Sequence, residues 1–412
     1  MINNKWTFNC FVIVCIIFAS CATTKNAEGQ QKVPKKAQSL FNEGLKMQGY
    51  GEYQEAIELF KQSIKKAPGF INAYDALANT YQKNNQFKKS KNTYLKLITL
   101  NPDHFYGLYE LGNIYFELGE LDSSEYYYQR FLGVNKSNDK YAQNIRLNIS
   151  NIQFSRDAIS NPIDVTPVNL GVNINSNDQE YSPAFAIDEK TIYITKRMGD
   201  LSDTRPNEDL YFATLNNKRW GKVKNIGSPI NTIENEGAFS VSSDGNYIFF
   251  TSCSRSGGKG QCDIWITSQK NNRWSEPQNL QSPINTKYWE SQPSITSDGR
   301  KLYFTSDRPG GYGGTDIWVS EFSNSGWSKP KNLGPSVNTS KDEQFPFIHA
   351  DNNTLYFSSN GHPGMGKTDL YLVRKIDDNS WESPINLGYP INTRGQDWNL
   401  VVARNGKTAY FS

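Results

Sequence analysis

Trp220, Trp274, Trp327 and Trp381 stand 54, 53 and 54 residues apart, and this period constrains the chain more than any other feature. A recurrence of that length means one supersecondary unit copied along the chain, each copy burying its apolar face against the next. Four further features share the period. Asp-aliphatic-aromatic triplets recur at Asp209-Leu210-Tyr211, Asp263-Ile264-Trp265, Asp316-Ile317-Trp318 and Asp369-Leu370-Tyr371. Tyr193, Phe249, Tyr303, Tyr356 and Tyr410 mark short strand-like runs, and Ser-Asp-Gly turns precede two of them, at Ser243 and Ser297. Pro-Ile-Asn-Thr-like segments close the blocks around Asn231, Asn285, Asn338 and Asn392. Along Lys301-Leu302-Tyr303-Phe304-Thr305 apolar residues take turns with polar or aromatic ones on the two faces of a strand. Each period therefore predicts four short strands separated by turns, the content of one β-propeller blade.

The ends of the repeat region predict how the ring closes. Residues 167–180 (PVNLGVNINSNDQE) match the end of a block, and residues 399–412 match the start of one. Joined, they predict a fifth blade with its outer strand from the N-terminal side and its inner strands from the C-terminal side, which protects strand edges. The third strand of that blade is missing before Ser412, so the sequence reads as a fragment of a longer chain or as a gene product cut short.

A second period precedes the first. Blocks of 34 residues align at 37–70, 71–104 and 105–138. Large residues recur at Leu40/Tyr74/Leu108, Met47/Tyr81/Tyr115 and Phe60/Tyr94/Tyr128, and small ones at Gly44/Ala78/Gly112 and Ala56/Ser90/Ser124. Small residues let two antiparallel helices approach, large ones fill the gap, and Pro68 and Pro102 stop the second helix. Residues 139–158 continue at helical spacing as the capping helix such a stack needs.

The 34-residue blocks resemble the tetratricopeptide repeat, and the longer blocks resemble the PD40 (WD40-like) propeller repeat found beside the periplasmic translocation protein TolB. The fold expected is an α-solenoid at 37–159 followed by a β-propeller at 164–412, five-bladed with the last blade incomplete. The resemblance to the first family puts Phe41, Asn72, Asp75, Asn79, Tyr106, Tyr109, Asn113 and Phe116 on the concave, partner-binding face. The family's best-known site clamps a terminal carboxylate with lysines, and no Lys occupies these positions. Tyr106, Tyr109 and Phe116 are either a patch that anchors a partner or rings that pack on the capping helix.

The first 21 residues read as a secretory signal. Lys5 supplies the positive start and Phe8 to Phe18 the apolar run, shorter than the roughly 20 residues of a membrane span. Phe18-Ala19-Ser20-Cys21 resembles the bacterial lipobox, which implies lipidation at Cys21; an ordinary signal cleaved near Ser20 or Ala22 is the other reading. Residues 22–36 are polar and read as a flexible tether.

A net charge of +3 suggests no nucleic-acid partner, and three His in the chain argue against a His-rich metal site or a His-based triad. No cofactor is expected. The glycine-rich loops at 256–260, 309–314 and 361–366 lack the order of a phosphate cradle; hairpin geometry or a partner-contacting rim explains them. Recurrent Asp209, Asp263, Asp316 and Asp369, and Glu180, Glu236, Glu290 and Glu343, appear once per blade and so predict structural hydrogen bonds rather than metal binding. Cys253 and Cys262 flank one glycine-rich loop, placed for a disulfide in an oxidising compartment or as two free thiols. No GxSxG elbow or nucleophile–base pair is assembled, so the chain is read as a non-enzyme; a hydrolase would need a convergent set of acids.

The order of anchor, helical repeats and propeller resembles outer-membrane lipoproteins of the OmpA family, in particular the peptidoglycan-associated component of the type IX secretion system. That resemblance implies a periplasm-facing scaffold for envelope proteins. Peptidoglycan is a partner only if an OmpA-like C-terminal domain follows. A carbohydrate- or muropeptide-binding propeller, using rim Trp and Tyr, is the second reading.

Overall fold

Paired small and large residues at the expected spacings make helix pairs. The computed structural model describes residues 33–137, 139–185, 189–199, 207–271 and 273–412; the expected signal segment, Cys21 and residues 22–32 of the expected tether lie outside the described residues, and Lys35 and Lys36, read as the end of that tether, instead begin the first helix. Two compact units meet after Gly107. The first contains α1 (Lys35–Gly49), α2 (Tyr53–Lys66), α3 (Ile71–Lys83) and α4 (Phe87–Leu100). Its core is Ala56, Ile57, Phe60, Leu77 and Tyr81, and the Phe60 ring lies against Gly44, where a Cβ would collide with it. α5 (Phe105–Leu118) runs into the second unit, followed by α6 (Leu121–Val134) and α7 (Lys140–Ser160). There Gly112 makes room for the fully buried Tyr128 ring in the same way. The seven helices form a tetratricopeptide-type solenoid. Among the described residues no helix is long and apolar enough to cross a membrane.

The 54-residue period becomes a ring of blades. The first holds β1 (Gln179–Phe185), β2 (Thr191–Met198), β3 (Asn207–Asn216), β4 (Arg219–Trp220) and β5 (Lys224–Asn225). The second holds β6 (Asn235–Val241), β7 (Tyr247–Cys253), β8 (Cys262–Lys270), β9 (Arg273–Trp274) and β10 (Gln278–Asn279). The third holds β11 (Glu290–Ile295), β12 (Lys301–Ser306), β13 (Asp316–Ser323), β14 (Gly326–Trp327) and β15 (Lys331–Asn332). The fourth holds β16 (Glu343–Ile348), β17 (Thr354–Ser359), β18 (Asp369–Asp377), β19 (Ser380–Trp381) and β20 (Ile385–Asn386). In each blade the third strand pairs with the second on one side and with two short strands on the other, so the predicted fourth strand exists as two pieces.

The fifth position carries only β21 (Val401–Val402) and β22 (Ala409–Tyr410). Ring closure rests on side chains: Ser182 Oγ donates to Asn399 Oδ1 (2.9 Å), Arg404 N–H to Glu189 Oε1 (2.9 Å), and Phe185 meets Tyr410 edge-on at 4.6 Å. The outer strand expected within 167–180 is not formed. Residues 167–178 carry no strand, and Gln179 already begins β1. The reason is pairing: every outer strand in the other blades bonds to its third strand, which the described residues do not supply to the fifth.

Crossovers between blades use one device. Asn285 Oδ1 accepts the Ile264 N–H (2.9 Å) while its Nδ2 donates to the Ile264 carbonyl (2.8 Å). Asn231 does the same to Leu210, Asn338 to Ile317 and Asn392 to Leu370. The next residue, Thr232, Thr286, Thr339 or Thr393, donates through N–H and Oγ1 to the carboxylate of Glu236, Glu290, Glu343 or Asp397. These acids head the inner strands and are buried. Arg255 stands 3.6 Å from Glu236 and Arg308 stands 3.1 Å from Glu290. In the fourth blade His362 takes that place, its Nε2 lying 2.8 Å from the Val337 carbonyl. Burial pushes Glu343 up to about 7, against the opposing hydrogen bonds from Thr339 and Ser359.

The glycine-rich loops owe their composition to blade–blade contact. A Cβ on Gly260 would overlap the carbonyl oxygens of Tyr288 and Thr286, and one on Gly313 those of Lys341 and Thr339. Only Gly257 and Gly310 in these loops have positive φ, 88° and 96°.

Two outcomes are expected. Glu343 holds its proton more tightly folded than unfolded, so stability falls as pH rises from its ordinary 4.5 through about 7. His362→Arg lowers the folded value and raises stability at pH 8, where His362 is neutral folded and unfolded, by about 2 kcal/mol. An unchanged urea midpoint at pH 8 would remove this account. Gly313→Ala meets backbone that cannot yield and costs about 2–4 kcal/mol. Gly299→Ala, at φ 70° with nothing within reach of its Cβ, costs about 1 kcal/mol. Equal losses in urea denaturation would contradict the close-approach argument.

Candidate functional site

The second unit contains a cavity of about 320 Å3 beside α5. Tyr109, Asn113 and Phe116, one helical turn apart, project into it from α5 and Tyr128 from α6. Asn144, Asn148 and Asn151 come from α7, where spacings of four and three residues keep them on one face. Lys341 and Lys367, from loops of the fourth blade, complete the wall.

The polar groups are ordered by one another. Tyr128 Oη donates to Asn113 Oδ1 (2.8 Å) and accepts from Asn148 Nδ2 (2.9 Å). Burial raises the Tyr128 pKa far above the ordinary tyrosine range, so the phenol stays neutral and able to donate. Lys341 Nζ donates to Asn144 Oδ1 (2.9 Å), and Gly364 N–H donates to Asn151 Oδ1 (3.0 Å). Lys367 Nζ lies 3.2 Å from Glu117. The site thus offers amide donors and acceptors, aromatic faces and two ammonium groups, a set that suits an extended peptide with an acidic side chain.

The sequence-selected residues divide. Tyr109, Asn113 and Phe116 share this cavity, and the Tyr109 ring packs edge-on against Tyr141 of the capping helix α7 at 5.0 Å. Phe41, Asn72, Asp75, Asn79 and Tyr106 belong to the first unit. Phe41 fills core space against Phe60 and Phe70, with centroids 5.8 and 5.0 Å away; Asn72 is exposed, and Asp75 and Asn79 are half-buried. Lys341 and Lys367 escaped the sequence because they lie more than 200 residues from α5 and carry no motif of their own.

At the centre of the propeller lies a smaller cavity of about 150 Å3. At its inner-strand bulges five equivalent non-glycine residues hold positive φ: Ser182 (49°), Ala238 (41°), Gln292 (56°), Phe345 (52°) and Asn399 (56°). The register shifts between Gly237 and Phe239 and between Ser291 and Ser294 mark these bulges. No glycine advertises them in the sequence.

The periodic tryptophans are structural. Trp220 meets Tyr410 (6.4 Å), Trp327 meets Phe249 (6.4 Å) and Trp381 meets Tyr303 (6.1 Å), each across a blade boundary, and Trp274 packs in one cluster with Tyr193. The recurrent aspartates accept hydrogen bonds from nearby turns, as at Asp263 from Lys259 and Asn279 and at Asp369 from Met365 and Gly366. Cys253 and Cys262 sit opposite one another on β7 and β8 and are joined as a disulfide.

Family models for the tetratricopeptide repeat match residues 71–104 and 93–126. Among curated proteins, anaphase-promoting complex subunit 3 of Schizosaccharomyces pombe is 29% identical over 87 residues, 21% of this chain and 13% of that protein. The photosystem I assembly protein Ycf3 of Prochlorococcus marinus (strain NATL1A) is 32% identical over 113 residues, 25% of this chain and 65% of that protein. The chain therefore spans less than two thirds of either relative. Among solved structures, the first tetratricopeptide domain of Spaghetti (RPAP3) bound to an HSP90 peptide is 22% identical with a TM-score of 0.27, over 30% of this chain and 94% of that one. A tetratricopeptide repeat protein from Parabacteroides merdae is 23% identical with a TM-score of 0.28, over 30% of this chain and 48% of that one. Residues 71–126 thus carry tetratricopeptide repeats, a protein-interaction module, within a chain whose longer part is a propeller-like ring.

Proposed function

We propose that this protein is a non-enzymatic adaptor of the cell envelope, held at the outer membrane by a lipid on Cys21 and facing the periplasm, that binds protein partners through its repeat modules. The observation that carries the binding role is the α5 cavity. There the repeat's concave residues Tyr109, Asn113 and Phe116 face a wall of asparagines and Lys341 and Lys367. The sequence Phe18-Ala19-Ser20-Cys21 supports the anchor, and the pairing of helical repeats with a PD40-like propeller supports an envelope assembly such as type IX secretion.

Capture of envelope proteins by the full chain tests the first part. Lys367→Ala is expected to weaken capture of a cavity-bound partner about fivefold while leaving the thermal melt unchanged, since the exposed Lys367–Glu117 pair contributes under about 1 kcal/mol. Capture equal to wild type places the partner elsewhere. Labelling of growing cells with radioactive palmitate tests the anchor: the wild type takes up label and Cys21→Ala does not. An unlabelled wild type removes the lipid anchor from this reading.

A further inference from the structure

The axial cavity of the propeller is walled by the inner strands β1, β6, β11 and β16 and by β21 with the residues beside it. Each of β1, β6, β11 and β16 is the end strand of its sheet, so one edge of its backbone turns to the axis instead of to a paired strand. Directly after the positive-φ residue of each wall stand Pro183, Phe239, Pro293, Pro346 and Leu400, and all five line the cavity. Proline has no N–H to leave unpaired on such an edge. Three of the five walls therefore present carbon and no donor at this level.

The next residue along controls the seams between blades. Ser240 and Ser294 lie opposite Phe249 and Tyr303 of the second strands, and their equivalents, opposite Tyr193, Tyr356 and Tyr410, are Ala184, Phe347 and Val401. Ser240 Oγ accepts the Ile295 N–H (3.1 Å) and Ser294 Oγ the Ile348 N–H (2.9 Å), each in the following blade. Strand alternation turns the equivalent N–H groups of Val241, Val402 and Phe185 to the same edge. The residues facing them are Ala184, Phe347 and Val401, which carry no hydroxyl to accept them. The other polar groups of the wall are engaged: Gln292 Oε1 accepts the Phe345 N–H (2.9 Å) and Ser182 Oγ donates to Asn399 Oδ1 (2.9 Å). Among the described residues only Glu189 and Arg404 bring charge to the lining, both beyond the ends of the inner strands, where Glu189 Oε1 accepts the Arg404 N–H.

We propose that the axial cavity binds one small uncharged ring compound that carries an acceptor oxygen, an aryl ketone being the simplest case. An apolar cavity of about 150 Å3 takes one benzene-sized ring, and this cavity has that volume. The proline girdle holds the ring. The oxygen accepts the Val241 N–H, because Ala184 is the smallest of the three side chains that face an unmet donor and leaves the most room beside it. A charged group would be desolvated there without a counter-ion. A sugar would need several free polar partners, whereas the serine hydroxyls already close the seams. The site is separate from the α5 cavity and does not depend on what that cavity binds. Its five walls are all in place among the described residues.

The probe is para-fluoroacetophenone, titrated into the full chain and followed by fluorine NMR. Saturable one-to-one binding is expected, with the Val241 amide resonance shifted. The analogue para-fluoroethylbenzene, which lacks the oxygen, is expected to bind about fivefold more weakly, the loss of one hydrogen bond. The charged para-fluorobenzoate is expected to bind at least about tenfold more weakly. Ala184→Phe copies Phe347 of the fourth blade, fills the cavity and is expected to abolish binding. Ala184→Ser copies Ser240 and Ser294, caps the Val241 N–H and is expected to weaken binding about fivefold; it keeps the test decisive where Ala184→Phe does not fold. No saturable binding to the wild type, binding unchanged by Ala184→Ser, or tighter binding of the benzoate than of the ketone overturns the proposal. So does displacement of the probe by N-acetylglucosamine, which would make the cavity a sugar site.

Discussion

At the end of each outer strand an asparagine amide takes the place of a peptide group, bonding both the N–H and the C=O of one third-strand residue. The ring depends on this interaction. It fixes the chain as it leaves one blade, and the Thr-to-carboxylate clasp that follows sets the first residue of the next inner strand. Asn285, Asn338, Asn392 and the acids of the clasps are buried, so each would cost more unpaired than it contributes paired. That asymmetry explains why Asn, Thr and an acid recur together, and why the period varies by only one residue among the four tryptophans.

Variation within the repeat is equally physical. Arg255 and Arg308 stack on Trp265 and Trp318 while neutralising the buried glutamate beside them. His362 keeps the ring contact, at 5.4 Å from Tyr371, and the carbonyl contact, but brings no fixed charge. The fourth blade therefore contains the buried glutamate with the markedly raised pKa. Its loops are also the ones that send Lys341 and Lys367 to the α5 cavity.

Much of the architecture was legible in the residues, because each period is enforced by local pairings that repeat. The Asp-aliphatic-aromatic triplets became third strands, and the small residues of the 34-residue blocks became helix contacts. The outer strand expected at 167–180 did not form, because a strand needs a neighbour and pattern alone does not provide one. The glycine-rich loops were legible as loops but not in their purpose: the carbonyls that exclude a Cβ belong to the next blade. The five positive-φ residues were invisible, since Ser, Ala, Gln, Phe and Asn share no chemistry that marks a bulge.

The candidate site was half legible. Tyr109, Asn113 and Phe116 follow from helical spacing within one repeat, a relation that holds wherever the helix goes. The asparagines of α7 and the two lysines join them only through tertiary structure. The sequence by itself determined two repeat systems, their periods and the faces of their helices and strands, because these are set by neighbours a few residues away. Only the tertiary structure decided which distant loops meet α5 and where the inner strands bulge. Contacts between residues hundreds of positions apart leave no period to read.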